Sequence, residues 1–335
     1  MKISDSPLKA PFPWFGGKSR VADIVWRRFG DVANYVEPFF GSGAVLLGRP
    51  HAPRVETIND ADHFVANFWR AIKHDPAAVA AHADWPVNET DLSARHLWLV
   101  NDGRARIANI GSDPMAYDAQ VAGWWVWGLC SWIGSGWCSG DGPWQQVDGG
   151  WGKPGAGLGI NRQLPALGNA GRGINRKLPD LGTAGRGINK WFEALADRLS
   201  RVRVCAGDWS RVCGDSVTWR HGVTAVFLDP PYADTAGRAS DIYATDSLTV
   251  AHDVRAWAIA NGGNPDLRIA LCGYEGEHVL PDDWTAVPWK AKGGYGSQGD
   301  GIGRDNAERE RIWFSPACLR PERDRTLLDL MEATA

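Results

Sequence analysis

Asp229-Pro230-Pro231-Tyr232 closes the apolar run Val223 to Leu228, and these four residues suit the activation of an exocyclic amine. The amino nitrogen of adenine or cytosine has its lone pair drawn into the ring, so it attacks an electrophile only when acceptors pull on its hydrogens. The Asp229 carboxylate and the Pro230 carbonyl are two such acceptors. Proline has no N–H and a fixed φ, so the Pro-Pro pair holds the turn in one shape and aims its carbonyls. Tyr232 adds an aromatic face for a base to lie against. A base inside a duplex is out of reach, so the target must rotate into a pocket with an aromatic or apolar wall. An ordinary Asp-Pro turn capping a strand uses the same residues, and the tetrapeptide alone does not separate the two readings.

A second constellation lies near the N-terminus. Glu37-Pro38-Phe39-Phe40-Gly41-Ser42-Gly43 places glycines at a strand-to-helix turn, where backbone can approach a ligand closely. As a dinucleotide fingerprint it fails, because Gly41 and Gly43 are followed by Leu46 where the third glycine belongs. Asp60 ends the next strand, about 20 residues on, where an acid accepts both hydroxyls of a ribose. Asp208 ends a third strand, so a glycine turn, two strand-end acids and Asp229 follow one another in order. The six cysteines form no Cys-x-x-Cys pair and no Cys/His cluster of zinc spacing, so buried free thiols are expected and no metal.

These residues need elements that carry them to one edge. Val21, Ile24, Val25 and Phe29 repeat at helical spacing, Tyr35-Val36-Glu37 reads as a strand, and a helix opens over Ala44 to Leu47. A second strand covers Arg54 to Ile58, and helices are expected at 62–73, 76–83 and 90–110. Ala116 to Trp137 holds Trp124, Trp125, Trp127, Trp132 and Trp137, most simply a buried helix running into a glycine-rich turn. The alternation resumes with a helix at 189–200, strands Val202 to Cys205 and Val223 to Leu228, a helix at 248–261 and a strand Leu267 to Cys272. Thr285 to Trp289 and Arg311 to Phe314 are expected to pair as an antiparallel hairpin. Strand–helix–strand alternation calls for an α/β fold with a mostly parallel sheet and ligands at the carboxyl ends of its strands. At 335 residues the chain fits one large domain, or a domain with a sizeable insertion. It shows no charged-then-apolar leader and no apolar run of bilayer length, so a cytoplasmic location is expected.

Pro13-Trp14-Phe15-Gly16-Gly17-Lys18, Tyr35 to Ala44, Asn59-Asp60 and Asp229 to Tyr232 resemble, in order and spacing, the Dam-like DNA adenine N6-methyltransferases. The resemblance covers residues 11 to about 64 and 200 to 315. It implies a Rossmann-like sheet, S-adenosylmethionine as cofactor and double-stranded DNA as partner. It implies that Trp14 and Lys18 line the methionine side of the cofactor, that the 37–43 turn (Glu37, Pro38, Phe39, Gly41, Gly43) wraps it and that Asp60 holds its ribose. Asp208 then lies near its adenine, and Asp229, Pro230, Pro231 and Tyr232 form the target-base pocket. The catalytic domain is expected at 1–64 and 196–320, an inserted target-recognition region at 65–195, and a polar tail at 321–335.

Within that insertion, Trp132 to Cys138 looks similar to a hairpin that such enzymes push into DNA, with Ser135-Gly136 at the tip and Trp137 beside it. The arginine that usually follows is replaced by Ser139-Gly140, so the recognised bases are not implied. A repeat of period 14 follows: Gly157 to Ala170 recurs as Gly171 to Ala184 and restarts at Gly185. Residues 134–187 carry six basic side chains and three acidic ones within a chain of net charge −3. Arg162, Arg172, Arg176, Lys177 and Arg186 are therefore candidate phosphate contacts, and a solvated loop is the plainer reading. Transfer to cytosine N4, an RNA base or a protein amide is the nearest alternative, and a non-catalytic DNA-binding scaffold is another. A monomer or weak dimer is expected.

Overall fold

A computed structural model of the protein describes residues 8–14, 18–132, 137–138, 145–147, 150–152, 187–231, 250–289 and 309–321. In chain order the elements are α1 (Ala22–Phe29), β1 (Asn34–Glu37), α2 (Ala44–Leu47), β2 (Val55–Asp60), α3 (His63–His74), α4 (Pro76–Ala83) and α5 (Glu89–Trp98). After α6 (Arg104–Arg106) and α7 (Ala119–Ser131) come a ribbon of β3 (Gln145–Val147) and β4 (Gly150–Gly152), then α8 (Gly187–Leu199) and β5 (Val202–Ala206). The chain continues with β6 (Thr224–Leu228), α9 (Val250–Asn261), β7 (Leu267–Tyr274), β8 (Thr285–Pro288) and β9 (Glu310–Phe314).

The large sheet has the order β5-β2-β1-β6-β7-β9-β8. β1 runs parallel to β2 and β6, and β6 parallel to β7. β9 is antiparallel to both β7 and β8, which is the terminal hairpin expected from the sequence. This is the Rossmann-like methyltransferase architecture. β6 is buried at all five positions because parallel neighbours flank it on both sides, hence its unbroken Thr-Ala-Val-Phe-Leu run.

Contacts group the chain into two compact units. The first comprises Met1–Phe15, Asn59–Trp209 and Ala239–Ser247, and the second Gly16–Ile58, Ser210–Arg238 and Leu248–Ala335. The limits between the units fall at 15/16, 58/59, 209/210, 238/239 and 247/248.

The second unit is built on β1, β6, β7, β9 and β8. Trp26 of α1 packs edge-on to Phe29 and lies 5.0 Å from the ring of Tyr35, and its indole N–H donates to the Val45 carbonyl at 2.7 Å. That bond ties α1 to α2, directly above the turn after β1.

The first unit is mainly helical, and its helices begin where the sequence supplies caps. Asp62, Asp75, Asn88 and Asp118 each accept a first-turn N–H, and Pro76 occupies the first turn of α4. Phe12, Phe68, Trp69, Trp125 and Phe192 form its aromatic core. Arg70 fastens the segment before α7, donating from one Nη to the carbonyls of Ile110, Asp113 and Ala116 and from the other to that of Val204. Residues 90–110 are helical as expected, interrupted by a π-helical turn at Leu99–Gly103. The ribbon β3–β4, with Gln146 opposite Trp151, was not anticipated, although Asp148-Gly149 between the strands is a standard two-residue hairpin signal. Among the described residues no helix is long and apolar enough to cross a membrane.

Candidate active site

The carboxyl end of β6 delivers Asp229, with Pro230 buried and Pro231 half-buried behind it. Lys18 reaches the same point from the short turn Lys18–Arg20, and its Nζ lies 3.0 Å from Asp229 Oδ1. The lysine side chain is 6% exposed and the aspartate 20%, so the acid keeps one face open. Burial alone would depress the Lys18 ammonium, but the charges of Asp229 and Glu310 reverse this and hold it above its usual range. Burial raises the Asp229 carboxyl above the ordinary aspartate, with Lys18 as the main opposing influence and a hydrogen bond from Cys272 as a smaller one. The result is an acceptor held in place by two donors.

Glu37 ends β1 two residues after Tyr35, on the same face of the strand, and the Tyr35 hydroxyl donates to Glu37 Oε2 at 2.8 Å. Burial pushes the Glu37 carboxyl well up. The Tyr35 bond opposes that shift, the nearby Asp229 adds to it, and the Leu46 N–H opposes it. Leu46 lies in the first turn of α2, whose N-cap is Gly43 and has no side chain to cap with, so Glu37 does this from the strand. Between them the chain turns through Gly41 (φ +47°) and Gly43 (φ +63°), and the Gly43 N–H donates to the Phe40 carbonyl at 2.7 Å. A Cβ at position 43 would fall 2.3 Å from the Phe40 ring, so glycine is required there twice over, by dihedral and by packing.

Three side chains around Lys18 and Asp229 escaped the sequence reading. Cys272 is on β7, level with Asp229, because Leu228 pairs with Leu271. Glu310 is on β9 opposite Tyr274, and the Trp289 ring lies 5.2 Å from Lys18 Nζ. The β6–β7, β7–β9 and β8–β9 registers bring them here, and no local motif marks them.

The first unit holds the other predicted acids. The Gly207 N–H donates to the Asp60 carbonyl at 3.0 Å and Asn59 Nδ2 to the Gly207 carbonyl at 2.9 Å, so Asn59-Asp60 and Gly207-Asp208 are laced side by side. Asp60 Oδ1 also accepts the Asp62 N–H at 2.9 Å, which orients its carboxylate. Trp14 is half-buried against Phe12 and Trp125. Trp137, expected near DNA, is 8% exposed, donates to the Trp125 carbonyl at 3.0 Å and lies against Gly128, where a Cβ would meet its ring at 1.8 Å. Tyr232, Ser135, Arg162, Arg172, Arg176, Lys177 and Arg186 lie outside the described residues. The six cysteines are free thiols, five of them buried.

Residues 14–95 match the family model of the D12 class N6 adenine-specific DNA methyltransferases. The N-terminal part of the chain is therefore similar to the D12 class of DNA adenine-N6 methyltransferases. The matched stretch contains Lys18, the Glu37–Gly43 turn and Asp60, and ends before β6. A comparison with curated proteins returned no match. Lys18 thus links the matched N-terminal motif to the Asp229 turn more than two hundred residues later, through one ion pair.

Proposed function

We propose that the enzyme transfers a methyl group from S-adenosylmethionine to N6 of an adenine turned out of double-stranded DNA. The observation that carries this is the Asp229 carboxylate at the end of β6, held by Lys18 at 3.0 Å with one face open, ahead of a rigid Pro-Pro turn. Asp229 accepts one N6 hydrogen and the Pro230 carbonyl the other, so the nitrogen lone pair is drawn out of the ring. Lys18 keeps Asp229 in its accepting, ionised form. The acceleration comes from positioning and electrostatics, with no covalent enzyme intermediate.

The donor set fits the proposed cofactor: the Gly41/Gly43 turn lets backbone come close, and strand-end carboxylates suit hydroxyl and ammonium groups. Glu37, Pro38, Phe39, Gly41 and Gly43 are proposed to contact it, with Lys18 and Trp14 toward its methionine part, Asp60 toward the ribose and Asp208 toward the adenine. When bound, it supplies an electrophilic sulfonium methyl. Asp229→Asn keeps the shape of the turn but loses the anionic acceptor, and transfer of labelled methyl to DNA is expected to fall by about a hundredfold or more. Full transfer by this variant, with fold and cofactor binding intact, removes the assignment. Digestion of the product DNA to nucleosides should yield N6-methyladenine, and N4-methylcytosine alone would move the reaction to the other base.

A further inference from the structure

In the first unit a cavity of about 480 Å³ opens between α4, α5 and α7, walled by the indoles of Trp85, Trp98 and Trp124 with His82, Asp91 and Arg95. That volume is in the range of small-ligand sites. Its walls are fixed in advance. Asp91 accepts from Trp85 Nε1 and from Asn88 Nδ2, each at 2.6 Å, which sets the angle of the Trp85 ring although that residue is 47% exposed. Trp98 and Trp124 meet edge to face at 4.9 Å. α7 therefore divides its tryptophans: Trp125 and Trp127 are core, whereas Trp124 faces the cavity.

Arg95 decides what fits. Its guanidinium lies 5.1, 5.0 and 4.3 Å from the rings of Trp85, Trp124 and Trp127. It is 92% buried, its Nη1 has no hydrogen-bond partner, and it forms no ion pair among the described residues. Asp91 on the same wall offsets part of that charge, and a purely aliphatic occupant would leave the buried Nη1 without an acceptor. A flat, electron-rich ring with carbonyl or ring-nitrogen acceptors satisfies both the walls and the cation.

We propose that this cavity takes an unstacked nucleobase of the DNA substrate, held on the indoles of Trp85, Trp98 and Trp124 with Arg95 behind them. The proposal rests on DNA being the substrate, and it names a binding point separate from the Asp229 turn. Stacking on aromatic side chains is the general way proteins hold unpaired bases, and it tolerates any base because every base has a π face.

The test compares three labelled DNAs by fluorescence anisotropy: a duplex, the same duplex with a three-base mismatch bubble, and that bubble with abasic sites replacing its bases. The wild-type enzyme should bind the bubble about tenfold more tightly than either of the others. Trp85→Ala, which removes an exposed ring, and Trp124→Leu should each erase that preference. Trp85→Phe, which keeps an aromatic face, should retain most of it. The salt dependence of duplex binding should not change, since neither substitution removes a cation that neutralises a phosphate. Circular dichroism checks the fold of each variant. A bubble preference that survives in folded Trp85→Ala and Trp124→Leu overturns the site and leaves the methyltransferase reading standing. Equal affinity of the wild type for bubble and duplex overturns it as well. A wild type that binds no DNA overturns both readings, and a fall in the salt slope assigns the residues to the backbone path instead.

Discussion

At the scale of single residues, the Lys18–Asp229 pair makes a prediction that neither residue makes alone. Burial lifts the Asp229 carboxyl and Lys18 pulls it back down. Transfer requires the ionised acceptor, so kcat/KM should fall as pH drops through an apparent pKa above the ordinary aspartate value of 3.8. Lys18→Met removes the opposing charge without replacing its volume by water. Asp229 is then harder to ionise, so the acid limb must move to higher pH and the deficit must shrink as pH rises. Lys18 itself stays charged throughout, because its anionic neighbours hold it above its usual range, and it should introduce no alkaline limb below about pH 9. A pH profile of kcat/KM for both proteins decides the matter: a limb in the same place in Lys18→Met means that the lysine does not tune Asp229.

At the scale of elements, the strand-end turns rest on a buried network under β1 and β2. Arg49, just after α2, pairs with Glu56 of β2 at 3.1 Å with both side chains almost wholly buried, and it also donates to the Val32 carbonyl at 2.8 Å. Its guanidinium lies 5.1 Å from the Trp26 ring. Removing one member of such a pair leaves a charge without compensation, whereas replacing both by apolar groups is often neutral. Arg49→Met should therefore cost about 3–5 kcal/mol, and Arg49→Met with Glu56→Leu should recover most of it, as read from urea unfolding. Equal costs for the single and double variants would show that the Val32 bond and packing matter more than the pair. This network also marks the limit of what the sequence discloses. Strands and helices were legible because hydrophobic spacing and side-chain caps are local: Asp62, Asp75, Asn88 and Asp118 announce four helices. The Glu37–Gly43 turn was legible for the same reason. Arg49–Glu56, and the arrival of Cys272, Glu310 and Trp289 at Lys18, depend on which strands pair and in what register. The packing of Trp137 over Gly128 was not legible, because an indole beside a glycine-rich turn reads alike whether it faces DNA or fills such a gap.

At the scale of the whole molecule, a chain of net charge −3 must approach a polyanion, so its cations have to be grouped. Residues 134–187 hold six of them against three acids, and the second 14-residue copy, Gly171 to Ala184, carries Arg172, Arg176 and Lys177 with one acid, Asp180. If those three cations neutralise phosphates, deleting 171–184 should weaken duplex binding and flatten the plot of log K against log salt by about 0.9 for each phosphate no longer neutralised. Because the copies repeat in phase, removing one whole period keeps the sequence on either side in register, which makes this cut milder than any partial one. The same deletion should leave the bubble preference intact, while Trp85→Ala should lose the preference and keep the slope. The two contributions are thereby separable, since stacking depends on the bases and not on salt, and phosphate neutralisation depends on salt and not on the bases. An unchanged slope after the deletion would reduce the repeats to a surface insertion, and recognition would then rest on the described helices of the first unit and on the turn at Asp229.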